Sequence, residues 1–183
     1  MRAGVLALQG DFAAHARALG GAREVRTAAE VDEVDLLVLP GGESTTLLNL
    51  LEGSGIEEAV RRLLARGGVV FGTCAGAILL AKEVSNPAQP SFGLIDVGVE
   101  RNAFGRQVDS FEAVLEPDYP ALFIRAPRIR RVGPGVEVLA RWKGEPVFVR
   151  QGRVFAATFH PELTGDRRVL DLVRSAVAPT AVS

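Results

Sequence analysis

The sequence predicts an α/β fold of three layers (α/β/α), in which helices flank a mostly parallel central sheet. Two observations indicate this fold. Short apolar runs alternate with helix-like segments in the first half of the chain, and strand-like segments joined by tight turns fill the second half. Alternating strands and helices form right-handed crossovers and therefore a parallel sheet. The strands of the C-terminal half are expected to add an antiparallel extension to it.

The first half contains three apolar strands, each followed by helix. Residues 5–8 precede an alanine-rich helix, and residues 35–40 are apolar almost throughout, as in a strand covered on both faces. After this second strand the chain turns through glycines into a helix, in which apolar residues recur at helical spacing from Ile56 onward until Gly67 and Gly68 end it. Residues 68–72 predict the third buried strand, and residues 75–82 predict the helix after it.

The second half begins after Pro87. Its strand-like segments are "FGLIDVGVERN", "SFEAVLE" and "VEVLARWKGEPVFVRQGRVFAATFH". Hairpin turns are predicted at Lys143 with Gly144 and at Gln151 with Gly152. The closing segment "DRRVLDLVRSAV" predicts an amphipathic helix. No internal repeat or linker interrupts the chain, which predicts a single domain over residues 1–183.

Composition excludes several classes of partner. Hydrophobic residues make up 48% of the 183 residues, and the formal net charge is −1. A chain without basic excess lacks the charge that attracts a nucleic-acid backbone. No apolar run is long enough to span a bilayer. The single cysteine, Cys74, cannot form an internal disulfide and favours a reducing compartment. We therefore expect a cytoplasmic protein that binds neither nucleic acid nor a membrane.

The only cysteine lies in a motif typical of a nucleophile. Cys74 directly follows the third buried strand, between Gly72 and Gly76, in the pattern G-x-nucleophile-x-G. Such a turn is strained, and side chains at the glycine positions would collide with neighbouring backbone. The helix that follows directs its N-terminal amides at the sulfur, which favours the thiolate. A lone intracellular cysteine is more often a small buried hydrophobe, but the glycine spacing favours a catalytic thiol.

A catalytic thiol needs a base, and the chain has two histidines. His160 ends the last apolar strand, and Pro161 restricts it to extended geometry, in which His160 and Glu162 share a face. Glu162 can then orient the imidazole and stabilise its protonated form. The alternative is a strand-end histidine beside an unrelated glutamate. His15, in the alanine-rich first helix, is predicted to be a surface or interface residue.

A glycine-rich loop, "LPGGEST", follows the second buried strand. Its glycines allow backbone amides to approach a ligand closely, and Ser44 can cap the next helix. The amides of Gly42 and Ala75 are predicted to form an oxyanion hole for a tetrahedral intermediate. A purely structural turn is the alternative, because "PGG" occurs in many loops.

The order Cys…His-Pro-Glu differs from that of papain-like proteases and α/β-hydrolases. The blocks "GTCAG" and "FHPEL" resemble the two signature blocks of class I glutamine amidotransferases, which have a flavodoxin-like fold. Over essentially the whole chain, the sequence looks like the glutaminase subunits of pyridoxal 5′-phosphate synthases. The blocks that carry this resemblance are "LALQGDFAAH", "LPGGESTT", "GTCAGAILLAK", "VERNAFGRQVDSFEA", "FIRAPRI" and "ATFHPELT".

The resemblance implies hydrolysis of L-glutamine to glutamate and ammonia through a Cys74 thioester. The ammonia would pass to a separate synthase subunit for vitamin B6 biosynthesis. The glutamine contacts that it implies are Gly42, Glu43, Ser44, Arg101, Arg125 and the backbone of Ile124. Gln9 is implied to help complete the oxyanion hole when the synthase docks, which would place Gln9 and His15 near the interface. Neither cofactor nor metal is expected, because two distant histidines and one cysteine form no ligand cluster.

Two other functions stay open at this point. One is a stand-alone cysteine hydrolase of the same fold, which would cleave a γ-glutamyl bond without transferring ammonia. The other is a non-catalytic regulatory subunit that keeps the pocket but lacks turnover. The presence of Cys74, His160 and Glu162 together argues against the second alternative.

Overall fold

The structure is a computed structural model that describes residues 1–103 and 110–177. The strands are β1 (Ala3–Leu6), β2 (Arg23–Val25), β3 (Leu36–Leu39), β4 (Val69–Thr73), β5 (Ala81–Ser85), β6 (Ile95–Glu100), β7 (Ser110–Val114), β8 (Pro120–Ile124), β9 (Arg128–Val132), β10 (Glu137–Trp142), β11 (Glu145–Gln151) and β12 (Val154–Ala157). The helices are α1 (Phe12–Ala18), α2 (Ala28–Asp32), α3 (Ser44–Leu51), α4 (Ile56–Ala65), α5 (Ala75–Leu80) and α6 (Arg168–Ser175). A 3₁₀ turn, Pro161–Leu163, follows β12.

A seven-stranded sheet forms the centre, in the order β10-β11-β12-β4-β3-β1-β2. The strands from β12 to β2 are parallel to one another, whereas β11 and β10 join as an antiparallel extension. The predicted fold class is therefore confirmed, including the extension from the C-terminal half. Two smaller sheets, β5-β6-β9 and the hairpin β7-β8, lie beside the central one.

The two faces of the central sheet bury separate apolar cores. In β3, Leu37 and Leu39 face a core shared with α2, α3, α4 and α5, while Leu36 and Val38 face a core shared with α6. This alternation follows from the period of two in a strand, and burial on both faces explains why the strand is apolar throughout. Helices on both faces give the three layers that the sequence predicts.

Three differences from the predicted elements are local. The helix expected over residues 75–82 ends at Leu80, and the chain continues directly as β5. The short elements β2 and α2 are absent from the prediction, although Thr27 and Glu30 form a capping box at the start of α2. The second hairpin turn lies at Gly152 and Arg153, one residue later than expected. Residues 104–109 of the "VERNAFGRQVDSFEA" block lie outside the described residues.

The topology brings three loops to one edge of the sheet. Strands β3, β4 and β12 are neighbours and parallel, so the segments that follow them meet at their carboxyl ends. This is the edge where open α/β sheets bind ligands. Among the described residues, no helix is both long and apolar enough to cross a membrane.

Candidate active site

Cys74 occupies a strained turn between β4 and α5. Its backbone has φ 50° and ψ −107°, and a positive φ is uncommon for a residue with a side chain. Backbone strain of this kind costs about 1–3 kcal/mol and persists where the surrounding structure imposes it. The side chain of Cys74 is buried.

The glycines beside Cys74 are required by close approach of the backbone. A Cβ on Gly72 would lie 2.5 Å from the carbonyl carbon of Gly76, and a Cβ on Gly76 would overlap the carbonyl of Leu39. Real Cβ atoms do not tolerate such contacts with backbone. The predicted reason for the G-x-C-x-G spacing is therefore confirmed.

Pairing of β12 with β4 brings His160 to Cys74. The Cys74 N–H donates to the carbonyl of Ala157 at 2.9 Å, and His160 follows three residues later. The imidazole of His160 and the side chain of Cys74 both lie against Gly41, where a Cβ would meet Cys74 Cβ at 3.4 Å. Gly41, in the loop after β3, leaves room for this contact, because a Cβ there would lie 2.5 Å from His160 Cε1.

Glu162 lies behind the ring, on the side away from Cys74. Its Oε1 is 2.7 Å from His160 Nδ1, and its side chain is fully buried. The predicted contact is therefore confirmed, but the reason given for it is wrong. The 3₁₀ turn that starts at Pro161 folds the chain back and brings the two side chains together, so they do not share the face of an extended strand.

These neighbours keep a proton on His160. Burial by itself lowers the pKa of an imidazole, but here the hydrogen bonds with Cys74 and Glu162, together with their negative charges, outweigh it. The pKa of His160 rises from its ordinary value of 6.5 to about 10. An imidazolium next to a thiol stabilises the thiolate when it forms.

His15 is buried beside the same carboxylate, so its prediction as a surface or interface residue is wrong. Its side chain is 0% exposed, its Nε2 lies 2.9 Å from Thr73 Oγ1, and the same nitrogen lies 3.3 Å from Glu162 Oε2. The two histidines are therefore not distant from each other, as the sequence suggested, but contact opposite oxygens of Glu162. The signal in the sequence was the spacing of His15 four residues before the buried Leu19.

A cavity of about 300 Å³ opens above Cys74. The residues predicted from the sequence that line it are Gly42, Glu43, Ser44, Cys74, Ala75, Arg101, Ile124, Arg125 and His160. The residues that the prediction missed are Asp11, Gly41, Ile78, Asn102 and Pro127. All five missed residues fall inside the sequence blocks that carried the resemblance, which was the available signal.

The loop after β3 lines the cavity, and hydrogen bonds of its own residues hold it in place. Glu43 caps α3 by accepting from the amides of Thr45 and Thr46, and the hydrogen bond from the Thr46 hydroxyl is the main cause that lowers the pKa of Glu43 to about 2. The prediction that Ser44 caps this helix is wrong, since Ser44 is its first residue and donates to Gln89 Oε1 at 3.0 Å. The Gln9 Oε1 accepts from the Glu43 N–H at 3.0 Å.

The two arginines of the predicted set differ in exposure. Arg101 is 13% exposed, donates to Thr45 Oγ1 at 3.1 Å and lies 3.6 Å from Glu43 Oε1. Arg125 is exposed and has a positive φ of 41°. Directly before it, the Ile124 carbonyl faces Cys74 Sγ at 3.7 Å. Arg101 is thus the cation held at the cavity wall.

Comparison with known proteins identifies the family. The profile of the SNO glutamine amidotransferase family matches residues 5–178. The chain belongs to the SNO glutamine amidotransferase family. Its relatives include the "Pyridoxal 5'-phosphate synthase subunit PdxT" of Frankia casuarinae, at 56% identity over 95% of this chain and 96% of that one. The protein of the same name from Thermus thermophilus is 54% identical over 91% of this chain and 92% of its own length.

A solved structure supports the same assignment. A "Crystal structure of glutamine amidotransferase" superposes with a TM-score of 0.91 at 50% identity, covering 97% of this chain and 99% of the other. The family predicted from the signature blocks is therefore confirmed. Within the described residues of this SNO family member, no group of three or more His, Cys, Asp or Glu side chains is arranged to hold a metal ion.

Proposed function

We propose that this chain hydrolyses L-glutamine to L-glutamate and ammonia in the cytosol and passes the ammonia to a pyridoxal 5′-phosphate synthase subunit. The observation that carries the proposal is the juxtaposition of Cys74, His160 and Glu162 at the carboxyl ends of β4 and β12, in a chain of the SNO amidotransferase family. The relatives that bear the name of a synthase subunit support the choice of partner.

Cys74 acts as the nucleophile. The proton of its thiol passes to His160, and the sulfur attacks the side-chain carbonyl carbon of glutamine to form a tetrahedral intermediate. The C–N bond then breaks, and His160 gives its proton to the leaving nitrogen, which departs as ammonia. The product of this first stage is a γ-glutamyl thioester on Cys74.

Water completes the reaction. His160 accepts a proton from a water molecule, the water oxygen adds to the thioester carbonyl, and the C–S bond breaks to release glutamate. Glu162 holds the imidazole through Nδ1 and stabilises its charged form. The amides of Gly42 and Ala75 stabilise the oxyanion in both stages, since the first amides of α5 have no partner within the helix.

The cavity wall supplies groups for a zwitterionic substrate. The guanidinium of Arg101 binds the α-carboxylate, with Arg125 at the exposed rim. Glu43, Ser44 and the Ile124 carbonyl are the polar groups available to the rest of the amino acid. Gln9 already holds the Glu43 amide, so a docked synthase that moved Gln9 would change the amide loop beside Gly42.

The proposal is tested by measuring ammonia release from glutamine with and without the synthase subunit. Cys74→Ala is expected to lower turnover by at least about 10⁴-fold, because the residual rate of such enzymes without a nucleophile is that of binding and oxyanion stabilisation alone. Thermal unfolding checks that the variant keeps its fold. Release at the parent rate by Cys74→Ala would refute the proposal.

Comparing the assays with and without the synthase subunit separates this function from that of a stand-alone γ-glutamyl hydrolase. We expect weak ammonia release by the isolated chain and stronger release when the synthase subunit is added. Equal rates in both states would favour the stand-alone hydrolase.

A further inference from the structure

The carboxylate of Glu162 has two oxygens, and the proposed mechanism uses only one of them. Oε1 contacts His160, whereas Oε2 faces His15 Nε2 at 3.3 Å in a region closed to solvent. Oε2 has no hydrogen-bond partner among the described residues. An anionic oxygen that is buried without a donor is costly, so the ring of His15 is the group placed to satisfy it.

The tautomer of His15 follows from its surroundings. Its Nε2 faces the Thr73 hydroxyl at 2.9 Å and Glu162 Oε2 at 3.3 Å, while its Nδ1 has no partner in the described part of the chain. A lone pair on Nε2 would point at an anion, and a proton on Nδ1 would be buried without an acceptor. The tautomer with hydrogen on Nε2 avoids both costs, because Nε2–H can donate to these oxygens.

We propose that His15 is a positioning residue, whose neutral imidazole donates from Nε2 to the Glu162–Thr73 pair and holds the carboxylate against His160. This inference rests on the proposed function, since it assigns a second support to the base of that reaction. Carboxylates that orient a catalytic or metal-binding imidazole are themselves commonly held by further hydrogen bonds. His15 does not line the cavity, so it acts through Glu162 and not on the substrate.

Burial keeps His15 neutral. Burial is the main cause that lowers its pKa; the positive charge of His160 also lowers it, while the negative charges of Glu162 and Asp11 oppose the shift. Cys74 lies beside the His160 ring, and both contact the position of Gly41. When His15 is neutral, the negative charge of Glu162 pairs with the imidazolium of His160 alone. A protonated His15 would compete with His160 for that carboxylate.

The first test reads the tautomer directly. Protein labelled with ¹⁵N-histidine contains two histidines, and the spectrum of a His15→Gln variant assigns the signals. Between pH 7 and 8 we expect His15 to be neutral with its hydrogen on Nε2. A neutral ring with hydrogen on Nδ1, or a protonated ring, would overturn the proposal. This measurement needs no turnover, so it stands even where the glutaminase assay fails.

The second test is kinetic and uses three substitutions. His15→Leu removes the donor and is expected to lower kcat about tenfold, the factor that one hydrogen bond to a charged group is worth, with little change in KM. His15→Gln places an amide N–H near the position of Nε2 and is expected to restore most of kcat. His15→Asn is the matched control, because its shorter amide reaches only the position of Nδ1.

A double substitution separates positioning from packing. In a Glu162→Gln background, His15→Leu is expected to have no further effect on kcat, since the carboxylate that His15 holds is gone. Equal losses in the Leu, Gln and Asn variants, or a full additional loss in the double variant, would assign His15 to packing and overturn the proposal. Failure of the proposed function has a different signature, namely that the parent chain with its synthase releases no ammonia from glutamine.

Discussion

The two halves of the candidate site are built differently. The proton-transfer cluster (His15, Cys74, His160 and Glu162) is buried, and its members come from three separate segments of the chain. The substrate loop, residues 41–44 with Arg101 beside it, is exposed at Gly42 and Glu43, and the Glu43 side chain is 53% exposed. In the cluster the His15–Glu162 contact joins segments that the fold brings together, whereas Glu43 in the loop bonds mainly to the helix directly after it.

This difference indicates which half is organised before substrate arrives. The His160–Glu162 contact is a single buried hydrogen bond that no substrate needs to break. In the loop, by contrast, Arg101 is already near Glu43, and Ser44 already donates to Gln89. We expect glutamine to replace these partners when it binds. The cluster should therefore control kcat, and the loop should control KM.

The largest effect is expected when the buried carboxylate is changed. Glu162→Gln keeps the size of the side chain but removes the charge that stabilises His160, and we expect kcat to fall by about 10⁴-fold, as in a serine triad whose acid becomes an amide. KM for glutamine should change little, since Glu162 lies outside the cavity lining. Steady-state assays of ammonia release, with exposed Glu112→Gln as the control, measure both. A rise in KM with unchanged kcat would contradict the expectation that the cluster controls kcat and the loop controls KM.

A smaller effect, on KM and not on kcat, is expected when the substrate loop is changed. Arg101→Met removes the cation at the cavity wall, and KM should rise about tenfold, the value of one charge-assisted hydrogen bond. The kcat should stay within about threefold of the parent, because the cluster is untouched. The exposed Arg130→Met variant serves as the control. A loss confined to kcat would show that Arg101 belongs with the proton-transfer cluster.

The smallest expected effect is a change in the free energy of unfolding with pH, to which His160 of the proton-transfer cluster contributes. Because the pKa of His160 is raised in the folded protein, its stabilising contribution is complete below about pH 6.5 and is lost as the pH rises through about 10. Urea unfolding at several pH values should show the free energy of unfolding falling over this window. His160→Asn should fall less steeply, with the other titrating groups unchanged. Parallel curves for the two proteins would contradict a raised pKa.

Much of the proton-transfer cluster could be predicted from the sequence because local pattern encodes it. A nucleophile at a strand-to-helix turn needs glycines two residues to either side, and the structure shows the backbone contacts that require them at Gly72 and Gly76. His160 and Glu162 are close in sequence, so their contact needed only a turn. Apolar runs covered on both faces likewise indicated β3 and β4.

The parts that could not be predicted depend on distant segments. His15 was assigned to the surface because alanines surround it, and only the packing of α1 against the 3₁₀ turn places it beside Glu162. The hydroxyl of Ser44 bonds to Gln89, far along the chain, and this leaves the capping role to Glu43. Strand β2 has three residues, two of them exposed, which is too short a pattern to recognise.

The parallel pairing of β12 with β4 has a consequence for biosynthesis. The thiol leaves the ribosome well before the segment that carries its base, and β12 can enter the sheet only between β4 and β11. Contacts between such distant segments form late in folding. The cysteine of the nascent chain therefore lacks its catalytic base until the last strands join the sheet. Only molecules that have completed the sheet can release ammonia.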